Sequence, residues 1–542
     1  MALGAAPASA RLSASSSDPA WAYVQARTAA MNGDHARSAE LLANLFQAMP
    51  GETEFARKGL GEALDSGRID LALSLSRQIP AANLASDARL LVIADELKRR
   101  RFDSASAWMV PSGDGSDLSF LKALAAAWGA ADRNDLDGAL QAIAAIPATS
   151  PLAGFKGEQA AFVLLKFGKT ADAEPYARRA IGGGGIRETR LRLALASGFL
   201  DAGDRTRAAA MLDGIAHEAY SARDRLLSGK LPGQSVDTGA KAFGEVMTGL
   251  AGDLARRQGS TPPLGLAQVA RYANPDNSSA TVLLSILLDL RGRSDDALAL
   301  LASIPDSDPL ISQIRDNRVR ILSDEKRFPE ALAIATAATS GPDVSAADYS
   351  RLGDVLSATK RNSEAADAYG KAIAANLAVG NGDGLWTLYL LQASALQDAN
   401  RWPEAKEALT QGLKLAPDQP LLLNFLGYAK LERGEDMDAA EAMIRKASEL
   451  APDDASIIDS LGWAQYKRGK TGEAIDTLEK AAEKDPAQAE IREHLGDALY
   501  ASGRRYEARF AWSAALLTAD EDVAKRIDAK IKGGLTPATG AP

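Results

Sequence analysis

A period of about 34 residues runs through almost the whole chain. Equivalent places fall at 26, 60, 93, 127, 161, 196, 251, 285, 319, 353, 393, 427, 462 and 496, with steps of 33 to 35 residues apart from one of 55 and one of 40. A fixed interval of this size means that one small unit, unable to bury its own apolar face, is stacked many times. Twelve residues after twelve of these fourteen places stands an alanine (72, 105, 139, 173, 208, 297, 331, 365, 405, 439, 474 and 508), with Ser38 and Pro263 in the other two. A seat kept that small predicts two helices crossing too closely for a larger side chain. Seven residues after the anchor stands glycine at 33, 67, 168, 203, 292, 434, 469 and 503, and asparagine at 134 and 400. These residues tolerate the left-handed backbone that ends a helix. Each unit is therefore predicted to be helix, tight turn, helix.

The same register disposes of two apparent phosphate-binding motifs. "GKT" occurs at Gly168–Thr170 and Gly469–Thr471, but the first glycine of a phosphate loop, five residues earlier, is replaced by Val163 and Ala464. Both strings begin at the turn place of a repeat and read as turns. "IGGGGIRE" at Ile181–Glu188 has the glycines of a dinucleotide loop but follows a helix, not a strand, and reads as a turn between repeats.

Composition narrows the rest. The chain has 542 residues, 46% hydrophobic and only 6% aromatic, so the core is expected to be all-α and packed on small side chains. A net charge of -9 offers no long-range attraction for nucleic acid or anionic lipid. With no cysteine, disulfides, thiolate metal sites and a cysteine nucleophile are excluded. The three histidines, His35, His217 and His494, stand in different repeats without a metal-binding spacing, and no nucleophile elbow is present. No cofactor, metal or catalytic residue is expected. No run of 18 apolar residues occurs, so no transmembrane segment is predicted.

Domain organisation follows from the irregular steps. Residues 1–18 are a flexible N-terminus, 19–215 the more divergent repeats, 216–240 an insertion, 241–519 the remaining repeats and 536–542 a tail. Between the last repeat and the tail, residues 520–535 place Val523, Ala524, Ile527 and Ile531 on one face of a capping helix. Several second helices in the divergent part are predicted to close early, at Ile79-Pro80, Val110-Pro111, Ile146-Pro147 and Ile304-Pro305. The N-terminal "MALGAAPASARLSASSSDPA" resembles the end of a secretory signal, with an A-x-A-like spacing but no basic start; the bland reading is a flexible leader.

"LGYAKLERGEDMDAAEAMIRKASELAP", "LGWAQYKRGKTGEAIDTLEKAAEKDP" and "LGDALYASGRRYEARFAWSAALLTAD" resemble the tetratricopeptide repeat family, most fully between Leu388 and Ala515. The resemblance implies a right-handed superhelix, an α-solenoid of about fourteen helix-turn-helix repeats with a C-terminal capping helix. It also implies a concave groove lined by the first helix of each repeat. Carried over place by place, the groove residues of the last three repeats are Asn424 and Tyr428, then Asp459, Trp463 and Tyr466, then Glu493, Asp497 and Tyr500. Spacings of three and four put each set on one helix face. Rings and carboxylates presented together suit a protein or peptide partner with basic and apolar residues. The alternative is that the rings pack between repeats.

The resemblance extends to long bacterial envelope proteins of the family and implies a non-catalytic scaffold or adaptor, for example one delivering substrates to a periplasmic protease. The alternatives are a scaffold of polysaccharide export and, from another class, a helical-superhelix enzyme such as a lytic transglycosylase, for which the tail after the repeats is too short to supply a catalytic domain. The expected location is periplasmic or envelope-associated, with the cytoplasm as the alternative.

Overall fold

The structure, a computed structural model, describes residues 18–536 except 114, 182–184, 216–218, 232, 257–263, 341–343, 381 and 383. Residues 1–17, the glycines 182–184, His217, Pro263 and the tail from 537 lie outside these residues. Among the described residues the chain is an all-helical solenoid of thirty α-helices with no strand. Twenty-eight form fourteen successive pairs on the period of the sequence. The other two are Tyr220–Leu227, inside the 216–240 segment, and the closing helix Glu521–Gly533.

The turn series has a backbone cause. All ten predicted glycines and asparagines have positive φ, and three turns that lacked the signal, at Arg100, Lys326 and Lys360, adopt it too, at φ 56°, 59° and 59°. A left-handed residue with a Cβ costs about 1–2 kcal/mol. The stacking of the flanking helices therefore imposes the turn even where the local residue opposes it.

The alanine seat is equally physical. Ala72, Ala105, Ala139, Ala173, Ala208, Ala297, Ala331, Ala365, Ala405, Ala474 and Ala508 are all fully buried. The predicted Ala439 is the exception: it is only half-buried, and Ala440 takes the seat. The turn before it carries an extra left-handed residue, Asp436 at φ 45°, which shifts the second helix by one place. Opposite the seat the first helix is small as well. A Cβ on Gly462 would stand 2.6 Å from Leu478 Cγ. The second helices before Pro80, Pro111, Pro147 and Pro305 do close early, ending at Ser76, Ala107, Ala144 and Ala302.

The chain divides into two compact units, Met1–Ile334 and Ala335–Pro542. In the first, the simple stack of neighbours is broken. Helices Gly239–Ala255 and Leu264–Ala273, the seventh pair, pack on the first helices of earlier pairs, Thr53–Asp65, Ser86–Lys98 and Lys122–Asp132. The open groove expected along every first helix is thus filled here by the chain itself. Tyr272 donates its hydroxyl to Asp95 at 2.8 Å, Lys98 donates to the Tyr272 carbonyl at 3.1 Å, and Arg293 reaches the Asp65 carbonyl at 2.8 Å. Close approach is built in: a Cβ on Gly239 would lie 2.9 Å from the Phe102 ring and 3.0 Å from Trp128 Cβ. Within the pair, Glu245 is buried but accepts hydrogen bonds from Arg190 and from Asn274 and Asn277, so its charge is satisfied.

The second unit keeps the regular order. From Ala346 each pair packs on the next, and the closing helix lies against Arg505–Ala515.

Candidate functional site

Three successive first helices of the second unit carry the predicted residues: Pro420–Glu432 with Asn424 and Tyr428, Ala455–Lys467 with Asp459, Trp463 and Tyr466, and Ala489–Ala501 with Glu493, Asp497 and Tyr500. Each starts where its sequence dictates. Pro420 occupies the first turn, where its missing N–H is harmless. The Asp454 carboxylate accepts from the Ser456 and Ile457 amides at the start of the second.

The structure brings the eight residues into one stripe but buries four that were expected on its surface. Trp463 is 1% exposed. Its ring lies between those of Tyr466 and His494, with centroids 5.0 and 4.2 Å away, and its Nε1 donates to Glu432 at 2.7 Å. Asp459 is buried because it pairs with His494 Nδ1 at 2.9 Å. Glu493 and Asp497, 0% and 1% exposed, face the closing helix. Arg526 grips Glu493 through two hydrogen bonds of 2.8 and 2.7 Å, and Lys530 Nζ lies 2.6 Å from Glu493 and 2.7 Å from Asp497. Trp512 Nε1 also donates to Asp497, at 2.9 Å. The rings pack between repeats, and the carboxylates already hold basic groups of the same chain.

Four predicted residues remain partly accessible: Asn424, Tyr428, Tyr466 and Tyr500. Tyr500 is paired with Trp512, with ring centroids 5.5 Å apart, and Tyr466 stacks on Trp463. Tyr428 is different. Burial, then the charges of Glu432, Glu490 and Asp459, push its phenol well above the ordinary range. Three carboxylates from three consecutive first helices therefore act on one hydroxyl, opposed by the charge of Arg526. Glu490 is exposed and has no ion-pair partner among the described residues. One turn before Tyr428, the Asn424 side-chain oxygen is buried without a hydrogen-bond partner among them.

The sequence reading missed Glu432, Glu490, His494, Arg526 and Lys530. Two of these carried a signal. Glu432 stands four residues after Tyr428 on the same face, and Lys530 stands 34 residues after Gly496, one period beyond the last anchor. Of the two described histidines, His494 is buried and His35 is half-buried and pairs with Glu62 at 2.7 Å.

His494 makes the second unit pH-sensitive. Burial pulls its pKa down, but the Asp459 charge and hydrogen bond outweigh that and leave it above its ordinary value. A pKa raised by folding contributes stability that is complete below about 6.5, the unfolded value, and lost as pH rises through the folded value. Protection of amides 489–501 against hydrogen exchange is expected to fall across that rise, and His494→Gln to remove this dependence. A pH-independent wild type would refute the pairing.

Known proteins place these features. A tetratricopeptide repeat family model matches residues 390–455, and a TPR repeat model matches 462–503, which together include every stripe residue except Asp459. Among solved structures, a tetratricopeptide repeat protein of Parabacteroides merdae is 16% identical over 46% of this chain and 96% of its own, with a TM-score of 0.39. A Thermus thermophilus repeat protein is 20% identical over 35% of this chain and 100% of its own, at 0.30. The Cut9–Hcn1 hetero-tetramer chain is 15% identical over 96% of this chain and 97% of its own, at 0.38. No curated protein sequence matches the chain. With helix pairs on a 34-residue period and the repeat models matched across the most regular part of the chain, residues 390–455 and 462–503 are tetratricopeptide repeats.

Proposed function

We propose that this repeat protein is a non-catalytic scaffold or adaptor whose second unit binds a polypeptide segment carrying basic and apolar side chains, and that it works in the bacterial cell envelope, for example by delivering substrates to a periplasmic protease. One observation carries the binding surface: half-buried Tyr428, within reach of the charge of exposed Glu490, with the unpartnered Asn424 oxygen one turn away. A partner cation would meet Glu490 there, and a partner N–H would satisfy the orphaned amide oxygen. The closing helix supports the chemistry assigned to the partner. It pairs Arg526 and Lys530 with neighbouring carboxylates while turning Val523, Ile527 and Ile531 to the apolar core.

A photo-crosslinking residue at position 428, used in cells, is expected to capture a chain whose crosslinked segment is basic and apolar. Asn424→Ala and Tyr428→Ala are each expected to weaken that complex about tenfold, as central contacts do. Glu490→Lys should slow association and flatten its salt dependence, because an exposed charge acts mainly on encounter. Capture that survives all three changes but is lost on altering the first unit would sink the assignment. Envelope placement rests separately on the leader; recovery of the native gene product only from the cytoplasmic fraction would overturn it.

A further inference from the structure

Where the seventh pair folds back in the first unit, it closes a cavity of about 340 Å³. Arg271, on the last turn of Leu264–Ala273, lines it and is half-buried, yet its guanidinium pairs with no carboxylate among the described residues. Burial alone acts on it and lowers its pKa. Other buried arginines of the unit are neutralised, Arg190 by Glu245 and Arg187 by Glu158. An unpaired, half-buried cation opposes folding unless something neutralises it.

Neutral groups around it are also idle. Gln268, one turn earlier and 5% exposed, and Thr281, 6% exposed, both line the cavity and make no hydrogen bond with any described residue. Thr281 belongs to the first turns of Ser278–Asp289, whose N-cap Asn277 makes no side-chain cap. The second cation, Lys98, donates only to the Tyr272 carbonyl and lies 4.1 Å from the Tyr272 ring centroid. The carboxylate that faces the cavity, Asp308, already accepts from Ser278 Oγ and the Leu310 amide, and burial raises its pKa. Ile69, Ile304 and Pro305 complete an apolar wall.

We propose that this cavity binds a small organic anion, whose carboxylate or phosphate group is held by the Arg271 guanidinium with Gln268 and Thr281 as neutral partners, and whose short apolar body lies along Ile69 and Ile304. A guanidinium fork matches either oxyanion, and the volume lies at the small end of ligand pockets. The site is remote in sequence from the stripe around Tyr428 and does not depend on it.

The test uses the full chain, with thermal unfolding and calorimetric titration against inorganic phosphate, succinate and, at matched ionic strength, chloride. Phosphate or succinate is expected to raise the melting temperature saturably while chloride does not, and the anion that does so identifies the class of head group. Arg271→Gln should abolish the saturable shift, with at least tenfold weaker binding, and leave the unliganded melting temperature equal or higher. Should that variant fail to fold, Gln268→Leu is expected to weaken binding several-fold. No saturable response beyond chloride, or wild-type binding by the folded variants, would overturn the proposal.

Discussion

Trp463→Ala is expected to destabilise the second unit by about 3–5 kcal/mol, the range for deleting a fully buried aromatic side chain. The indole fills the space between Tyr466 and His494, so its loss opens a cavity between two repeats and leaves Glu432 without its indole donor. In a stack where each pair is held by its neighbours, the damage spreads to both sides of the missing interface. Denaturant unfolding followed by hydrogen exchange should show Pro420–Glu432 and Ala489–Ala501 losing protection together. Trp463→Phe keeps most of the stacked area and loses the hydrogen bond, so about 1–3 kcal/mol is expected. Tyr428→Ala, at a half-buried site, should change stability far less while weakening partner capture. The pair of variants separates the packing role from the binding role, which one aromatic stripe in a sequence cannot do. An unchanged melting temperature in Trp463→Ala would show that the three-ring stack is wrong.

The difference between what was legible and what was not follows from range. Repeat spacing, turn position and alanine seat are set between neighbours within a pair, so the pattern at Gly469 and Ala474 translates directly into left-handed turn and buried crossing. Even the failure at Ala439 is local: one added residue at Asp436 moves the seat to Ala440. The fold-back of the seventh pair is different. Tyr272 meets Asp95 across 177 positions, and nothing in a 34-residue period encodes which distant surface a pair will cover. Gly239 and Gly249, whose added Cβ atoms would collide with Phe102 and Phe155, record the close approach, but a glycine in a helix does not say what approaches it. The candidate site failed by the same logic. Asp459, Glu493 and Asp497 were placed on the correct helix face, but their charges are taken up by His494, Arg526 and Lys530, two of which lie beyond the last recognisable repeat. A face can be read from spacing; whether it is already occupied depends on the partner packed against it.

Occupation by the closing helix leads to the other large effect. Glu493→Ala is expected to cost about 3–5 kcal/mol, because it removes one partner from a buried charge cluster and leaves the others underpaired. Lys530 is 0% exposed and would keep only Asp497, while Arg526 would lose both hydrogen bonds to Glu493. Lys530→Met should cost less, since Glu493 retains Arg526 and Asp497 retains the Trp512 indole, and the methionine stem fills the same space. The effect should be local. Glu521–Gly533 is a thirteen-residue helix, too short to persist in water without its docking surface. In Glu493→Ala its amides should exchange as fast as those of an unprotected peptide, while Pro420–Glu432 keeps its protection. Normal exchange across 521–533 in that variant would show that apolar contacts of Val523, Ile527 and Ile531 alone hold the helix. Release of the helix would leave Asp497 without Lys530 and uncover it beside Tyr500, adding a carboxylate to the helix that already presents Glu490. Capture of a basic partner by Lys530→Met should then be as strong as in the wild type or stronger, because the partner no longer competes with a cation of the same chain.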